Sequence, residues 1–309
     1  MLNKYQTTLS NLIEFEGIGL HSGKKSKVRI LPAKANDGII FKRIDLENNN
    51  IIKACFKNVT SATLCTTLEN NHRVKVYTVE HLLAALYIAD IDNALIEIDC
   101  EEVPIMDGSA KKFLNKLQKT NKIEILNAKR KYLKISKKIE LNDGARKISI
   151  QPNDSFEVRF ELKYENKVIG KQKNTVNFDK DNLEEIVESR TFCLLKDVEK
   201  IKKLGLAQGG SLENAIVVDQ NKVINEEGLR NKNEFVNHKI LDLIGDFSLY
   251  GYRIQGKVIC HQGGHQLSNM FLKKMTNAKQ FSNSTELGNS LHKVNQEKSF
   301  SPVKAALNA

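Results

Sequence analysis

His238-Lys-Ile-Leu-Asp-Leu-Ile-Gly-Asp246 places His238, Asp242 and Asp246 at i, i+4 and i+8, so on a helix all three point roughly the same way. Phe235, Val236, Ile240, Leu243, Ile244 and Phe247 take other parts of the wheel and would anchor that helix in a core. A histidine and a carboxylate one turn apart can grip a single Zn²⁺ ion. The same spacing equally suits a histidine paired with a carboxylate on a solvated face, because HxxxD recurs by chance. The rest of the chain decides between the two.

Around this helix, predicted at 234–249, strands are expected near 132–140, 146–151 and 156–164, with a shorter helical segment near 181–188. Residues 193–225 read as a helix, the flexible pair Gly209-Gly210 and a strand at 215–218. Tyr252-Arg253-Ile254 begins a last strand that runs through 257–260 to Gly263-Gly264-His265 and a terminal helix. The first half has a similar order. Strands at 27–32 and 39–44 flank the turn Asn36-Asp37-Gly38, and Thr78 reads as the N-cap of a helix at 79–86. A strand at 93–99, a turn-rich stretch and a helix from about 109 to 119 follow. The polar run 127–131 reads as a connector. An α+β fold of two similar domains is expected, each a β-sheet layered with helices, at 1–126 and 127–278. The second carries an insert near 193–225, and a polar tail at 279–309 frays from about 276.

Composition narrows the function classes. Hydrophobic residues at 40% and charged residues at 28% describe a soluble globular chain, not a disordered one. No stretch approaches the roughly 18 apolar residues of a membrane span, and the N-terminus lacks the apolar core of a secretory signal. A cytosolic protein is therefore expected. Cys55, Cys65, Cys100, Cys193 and Cys260 show no CxxC spacing, which argues against a disulfide framework and a structural thiolate zinc site. Most read as buried small hydrophobes. The net charge of +11 invites a nucleic-acid reading, but the lysines are spread along the chain and no basic block alternates with aromatics. A positive surface could still favour an anionic substrate or a peripheral membrane contact.

The histidines settle where the chemistry lies. His72 and His292 sit in polar, turn-like surroundings and read as surface residues, and His261 is ambiguous. His81 follows Glu80 in the first turn of its helix, so His81 could bind a metal while Glu80 reaches a water on it. The bland alternative is an exposed Glu beside a partly packed His. His265 follows two glycines that let the backbone approach a ligand, and His21 lies in Gly19-Leu-His-Ser-Gly23. Together these supply two histidines and one aspartate for zinc, an adjacent glutamate, a spare aspartate and a spare histidine. Three protein ligands leave a fourth position open, the pattern of a catalytic site. This set of residues points to a zinc hydrolase.

Eight ordered motifs then carry a resemblance: 14–23 (Glu-Phe-Glu-Gly-Ile-Gly-Leu-His-Ser-Gly), 78–81 (Thr-Val-Glu-His), 104–110 (Pro-Ile-Met-Asp-Gly-Ser-Ala), 189–192 (Ser-Arg-Thr-Phe), 209–219, 225–230, 238–246 and Gly264-His265. In order and content they resemble the UDP-3-O-acyl-N-acetylglucosamine deacetylase family, collinear from about residue 5 to about residue 275. That resemblance implies two α+β domains whose helices face each other across the active site, with an inserted unit in each half. It implies Zn²⁺ on His81, His238 and Asp242, a type of site that Fe²⁺ can also occupy. It implies Glu80 as general base, His265 as a protonated acid oriented by Asp246, and the Thr191 hydroxyl as oxyanion donor. Lys239 would contact the substrate phosphate, while Phe192, Tyr164 and His21 would line the substrate site. The 193–225 insert would pass the acyl chain. Gln262 departs from the family pattern, where a lysine is common. A UDP-linked acylated glucosamine, no nucleic acid and a monomeric state are the implied partners. Acid and base of opposite protonation predict a bell-shaped pH profile. A zinc amidase on an N-acetyl sugar without a lipid and a basic nucleic-acid binder are the competing readings.

Overall fold

A computed structural model describes residues 4–120 and 123–277. The expected tail and His292 lie outside the described residues. Two sheets of matching topology organise the chain. In the first half, Ile13–Ile18, Lys25–Pro32, Ala94–Ile98, Ile39–Arg43 and Ile51–Lys53 are neighbours in that order, antiparallel except where Ala94–Ile98 and Ile39–Arg43 run parallel. In the second, Ile139–Asp143, Arg146–Gln151, Arg253–His261, Phe156–Lys163 and Lys171–Asn177 repeat both the order and the directions. Each half thus makes four strands, then an excursion containing a helix, and returns its fifth strand to the middle of the sheet. The alternation that predicted these strands is real: Phe156–Lys163 buries Phe156, Val158, Phe160 and Leu162 and turns the residues between them outward.

Helix α1 (Glu80–Ile88) belongs to the first excursion and is followed after its strand by α2 (Lys111–Thr120). The second half contributes α3 (Glu184–Glu188), α4 (Leu195–Lys203), α5 (Glu234–Ser248) and α6 (His265–Asn277). Helices α5 and α6 cover one face of the second sheet, α2 packs on Ile13–Ile18, and α1 packs directly on α5. The helical faces of the two halves therefore meet, and α1 and α5 form the joint. In α5 only Lys239 and Ser248 escape full burial. A helix so enclosed cannot present a solvated face, so the stripe His238, Asp242, Asp246 lies inside the protein.

Each excursion also carries an extra unit. The first is a three-stranded antiparallel sheet of Val59–Ser61, Thr67–Glu69 and Lys75–Tyr77. The second pairs Phe192–Leu194 parallel to Ile216–Val218, with α4 between them.

Several sequence expectations need correction. Thr78 does not cap α1. Val79 occupies that position, and Thr78, at φ 58°, turns its hydroxyl to Glu102 Oε1 at 2.9 Å. A buried carboxylate competes better for that hydroxyl than the helix end does. The expected strand near 132–140 is two strands, Tyr132–Lys134 and Ile139–Asp143, which join different neighbours. Part of the polar run 127–131 is not a connector, because Ile123–Lys129 pairs antiparallel with Tyr5–Leu9. The Ile123–Lys129 strand is mostly exposed, and its partner buries the polar residues Gln6, Thr7 and Thr8, so neither shows the apolar-in, polar-out alternation by which strands are read. Among the five cysteines, all free, only Cys260 is fully buried.

Candidate metal centre and active site

At the α1–α5 joint the first turn of one helix meets the middle of the other. His81 Nε2 and His238 Nε2 each lie 3.4 Å from Asp242 Oδ1. The imidazoles approach edge to face, with centroids 5.1 Å apart. All three residues are buried, and their ligand atoms lie within 4.8 Å of one another. Bonds of about 2.0–2.1 Å to a tetrahedral Zn²⁺ would hold such atoms roughly 3.3 Å apart, so the spacing fits the ion. Asp242 Oδ1 is buried without a hydrogen-bond partner, which is costly unless a cation completes it. His238 Nδ1 faces the Ser189 carbonyl at 3.1 Å, which can only accept, leaving Nε2 with its lone pair toward the site. Burial lowers the His238 pKa to about 3, against the pull of Asp242, so the ring stays neutral. Burial works against the charge on Asp242, but the Lys239 ammonium and the protonated His265 outweigh it and hold the carboxyl well below the usual carboxylate range.

Glu80 and His265 flank the triad. Glu80 Oε1 lies 3.7 Å from His265 Nε2, and Glu80 Oε2 accepts the Thr66 backbone N–H at 3.1 Å. Burial raises the Glu80 pKa, opposed in part by His265 and His81. His265 opens α6, and its Nδ1 is 3.0 Å from Asp246 Oδ2. Burial opposes its charge, but Asp246, Glu80 and Asp242 outweigh that and push the imidazole up to about 10. One side chain is thus arranged to hold a proton where its neighbour is arranged to take one. Zinc-type chemistry, proton abstraction and proton delivery can all occur within this volume.

The matched residues 6–277 score against the family model for UDP-3-O-acyl N-acetylglycosamine deacetylase. The chain belongs to that family. It is 42% identical over 272 residues to a UDP-3-O-acyl-N-acetylglucosamine deacetylase of Syntrophus aciditrophicus, covering 88% of this chain and 86% of the relative. Relatives bearing the same name from Acidithiobacillus ferrooxidans and Campylobacter fetus subsp. fetus are each 44% identical, over 87% and 85% of this chain and 89% of theirs. Membership makes the chain a hydrolase of a metalloenzyme family, and His81, His238 and Asp242 are its candidate metal site.

The remaining expected residues of this deacetylase-family chain surround the triad unevenly. Phe192 lies between Tyr164 and His238, with ring centroids 5.8 and 6.2 Å away. Lys239, expected to face a phosphate, has its ammonium 2.9 Å from Asp242 Oδ2 and 5.4 Å from the Phe192 ring centroid. Thr191 is half-buried, its backbone N–H donating to Gly108 O and its carbonyl accepting from Ile216, each at 2.8 Å. His21 is buried, and its Nε2 has no partner among the described residues. Its loop is tied to the second insert, since Gln208 N donates to His21 O and Gly209 N to Leu20 O. Gln262 exchanges hydrogen bonds with the Lys163 backbone instead of entering the site.

Three supports were not foreseen. Glu102, fully buried, accepts from the His21 and Ser22 amides at 2.8 and 2.7 Å and fixes that loop. Arg190 and Glu234 form a buried ion pair at 2.8 Å that seats Ser189–Phe192 against the start of α5. Thr66 touches both Glu80 and Asp246. A charged residue inside a motif, such as Arg190, is a sequence signal that something is buried, but it does not name the partner, and Glu102 stands outside every motif. A cleft of about 430 Å³ also opens at the far end of α1, lined by Arg130, Arg253, Tyr87 and Tyr252. None of the converging ligands lines it.

Proposed function

We propose that this chain removes the N-acetyl group of a UDP-3-O-acyl-N-acetylglucosamine, releasing acetate and the free 2-amine, with Zn²⁺ on His81, His238 and Asp242. The observation that carries the reading is the 3.7 Å pair of Glu80 and His265 beside three converging ligand atoms. The names of the relatives supply the substrate. When bound, the ion polarises the amide carbonyl and makes water acidic near neutral pH, and Fe²⁺ can occupy the same ligands in vivo.

Glu80 takes a proton from the attacking water as it adds to the acetyl carbon. The Thr191 hydroxyl donates to the carbonyl oxygen as charge develops there, a contribution of roughly 3 kcal/mol for one well-placed donor. His265, turned by Asp246, gives its proton to the amide nitrogen as the C–N bond breaks, so the leaving group departs as an amine and the acyl carbon as acetate. Lys239 meets a substrate phosphate with its ammonium, Phe192 and Tyr164 offer aromatic faces, and His21 lines the cleft. Residues 193–225 pass the acyl chain. In the cell the reading makes the protein a cytosolic monomer at the committed step of lipid A biosynthesis, with at most peripheral membrane contact. Among the described residues no helix is long and apolar enough to cross a membrane. The division at about residue 127 belongs to the same reading.

Acetate release by the purified protein, from substrates with and without the 3-O-acyl chain, tests it together with metal analysis. Chelation should abolish turnover and Zn²⁺ restore it. Undiminished activity in His81→Ala would remove the metal assignment, and indifference to the acyl chain would remove the lipid substrate.

A further inference from the structure

Thr66 precedes the strand Thr67–Glu69 of the first insert and is buried, 2% exposed. Its backbone N–H donates to Glu80 Oε2 at 3.1 Å. Its hydroxyl donates to Asp246 Oδ1 at 2.6 Å, the length of a charge-assisted O–H···O⁻ bond. Asp246 in turn receives His265 Nδ1, at 3.0 Å on Oδ2 and 3.2 Å on Oδ1, and His265 Nε2 faces Glu80 Oε1 at 3.7 Å. The four residues close a ring with Thr66 at the point where the base side and the acid side meet.

We infer that Thr66 is a positioning residue for the reaction, holding one oxygen of Glu80 and one of Asp246 so that the other oxygens address the reacting centre and His265. The inference rests on the deacetylase reading above. Each carboxylate has two equivalent oxygens and could turn about its last torsion. Thr66 occupies one oxygen of each, leaving Glu80 Oε1 toward His265 and Asp246 Oδ2 for the imidazole N–H. A β-branched side chain at the mouth of a strand is stiff at χ1, so its backbone N–H and hydroxyl keep a fixed separation. That separation sets the distance between two carboxylates contributed by different halves of the chain. Serine preserves both donors. Valine, nearly isosteric, keeps only the backbone N–H, so Glu80 stays held while Asp246 loses its strongest neutral donor.

The test is Thr66→Val beside Thr66→Ser in the full-length, metal-loaded protein, with kcat, KM and bound metal measured. Thr66→Val should lower kcat about tenfold or more with KM and bound metal unchanged, and Thr66→Ser should stay within about twofold of the parent. In an Asp246→Asn background Thr66→Val should add less than about twofold, because both changes break one connection. Thr66→Ala removes the same hydroxyl and carries the test if the valine variant does not fold. A parent-like kcat without the hydroxyl, a loss that appears only in KM, or an undiminished effect in the Asp246→Asn background overturns the inference. A parent that releases no acetate fails the functional reading itself. An active parent with unimpaired Thr66→Val and Thr66→Ala fails only the role of Thr66.

Discussion

Asp242 works through two differently occupied oxygens. Oδ2 meets Lys239 at 2.9 Å, while Oδ1 faces two imidazoles and lacks a hydrogen-bond partner. His81→Ala and Asp242→Ala should therefore lose metal and activity together, read by elemental analysis alongside turnover. Glu80→Gln should separate the two. Glu80 stands outside the ligand set, so the variant should keep its metal while kcat falls about 10²–10⁴-fold. The pH dependence follows from the same neighbours. Burial raises Glu80 and a bound dication beside it pulls the other way, so the acid limb of kcat/KM belongs to Glu80 and should be missing from the residual activity of Glu80→Gln. His265 is pushed up to about 10, and a bound dication beside Asp242 draws that down, so the alkaline limb should fall below it. His265→Ala should erase the alkaline limb. Without metal, the proton on His265 contributes stability that is complete below its ordinary value of 6.5 and lost as pH rises through about 10. The gap in melting temperature between metal-free parent and His265→Gln should accordingly narrow over that window. A gap that widens would contradict the assigned charge.

The crossing of α1 and α5 decides whether these side chains meet at all. Gly245 is the closest approach: a Cβ there would overlap the backbone carbonyl of Glu80, and the backbone cannot swing aside as a side chain can. Gly245→Ala must push the helices apart by their axes, moving Glu80 and His81 away from His238 and Asp242. Overpacking of this kind costs about 1–3 kcal/mol. Denaturant unfolding should register that loss, and metal titration should show weakened affinity although no ligand has changed. An alanine variant with parental affinity would mean that the crossing does not set the ligand spacing. The helix itself was readable in advance, since its apolar positions and its polar stripe share one period. Its burial on every side was not, because a stripe of His, Asp and Asp reads equally as a solvated face until α1 is placed over it.

Across the whole molecule, the two halves are pinned on both sides of that crossing. On one side Arg230 of the second half meets Asp107 of the first at 2.9 Å. At the far end of α1, Arg130 and Arg253 share Asp90 and Asp92, with Arg130 Nη2 2.6 Å from Asp92 Oδ2, and the Arg253 guanidinium stacks on Tyr87 at 3.9 Å. Asp92→Asn leaves two largely buried guanidinium groups short of a counter-charge and should cost about 3–5 kcal/mol in urea unfolding. A cost within about 0.5 kcal/mol, usual for a surface change, would show the cluster to be dispensable. The strands Phe156–Lys163 and Arg253–His261 were legible because one face of each is apolar and buried, and the ribbon joining Tyr5–Leu9 to Ile123–Lys129 was hidden because it buries the polar Gln6, Thr7 and Thr8 and exposes the apolar Ile123 and Ile125. Local periodicity and motif order by themselves determined the α+β class, the helix bearing His238 and Asp242, and the types of side chain available for metal and proton transfer. Those follow from backbone geometry and residue chemistry, which act over a few positions. Only the tertiary structure decided that Thr66 reaches Asp246 across 180 residues, that Glu102 holds the His21 loop, and that Thr78 serves Glu102 instead of capping its helix. Such pairings depend on burial, which makes each unpaired polar group costly, and burial is a property of how the two halves close and not of any one segment.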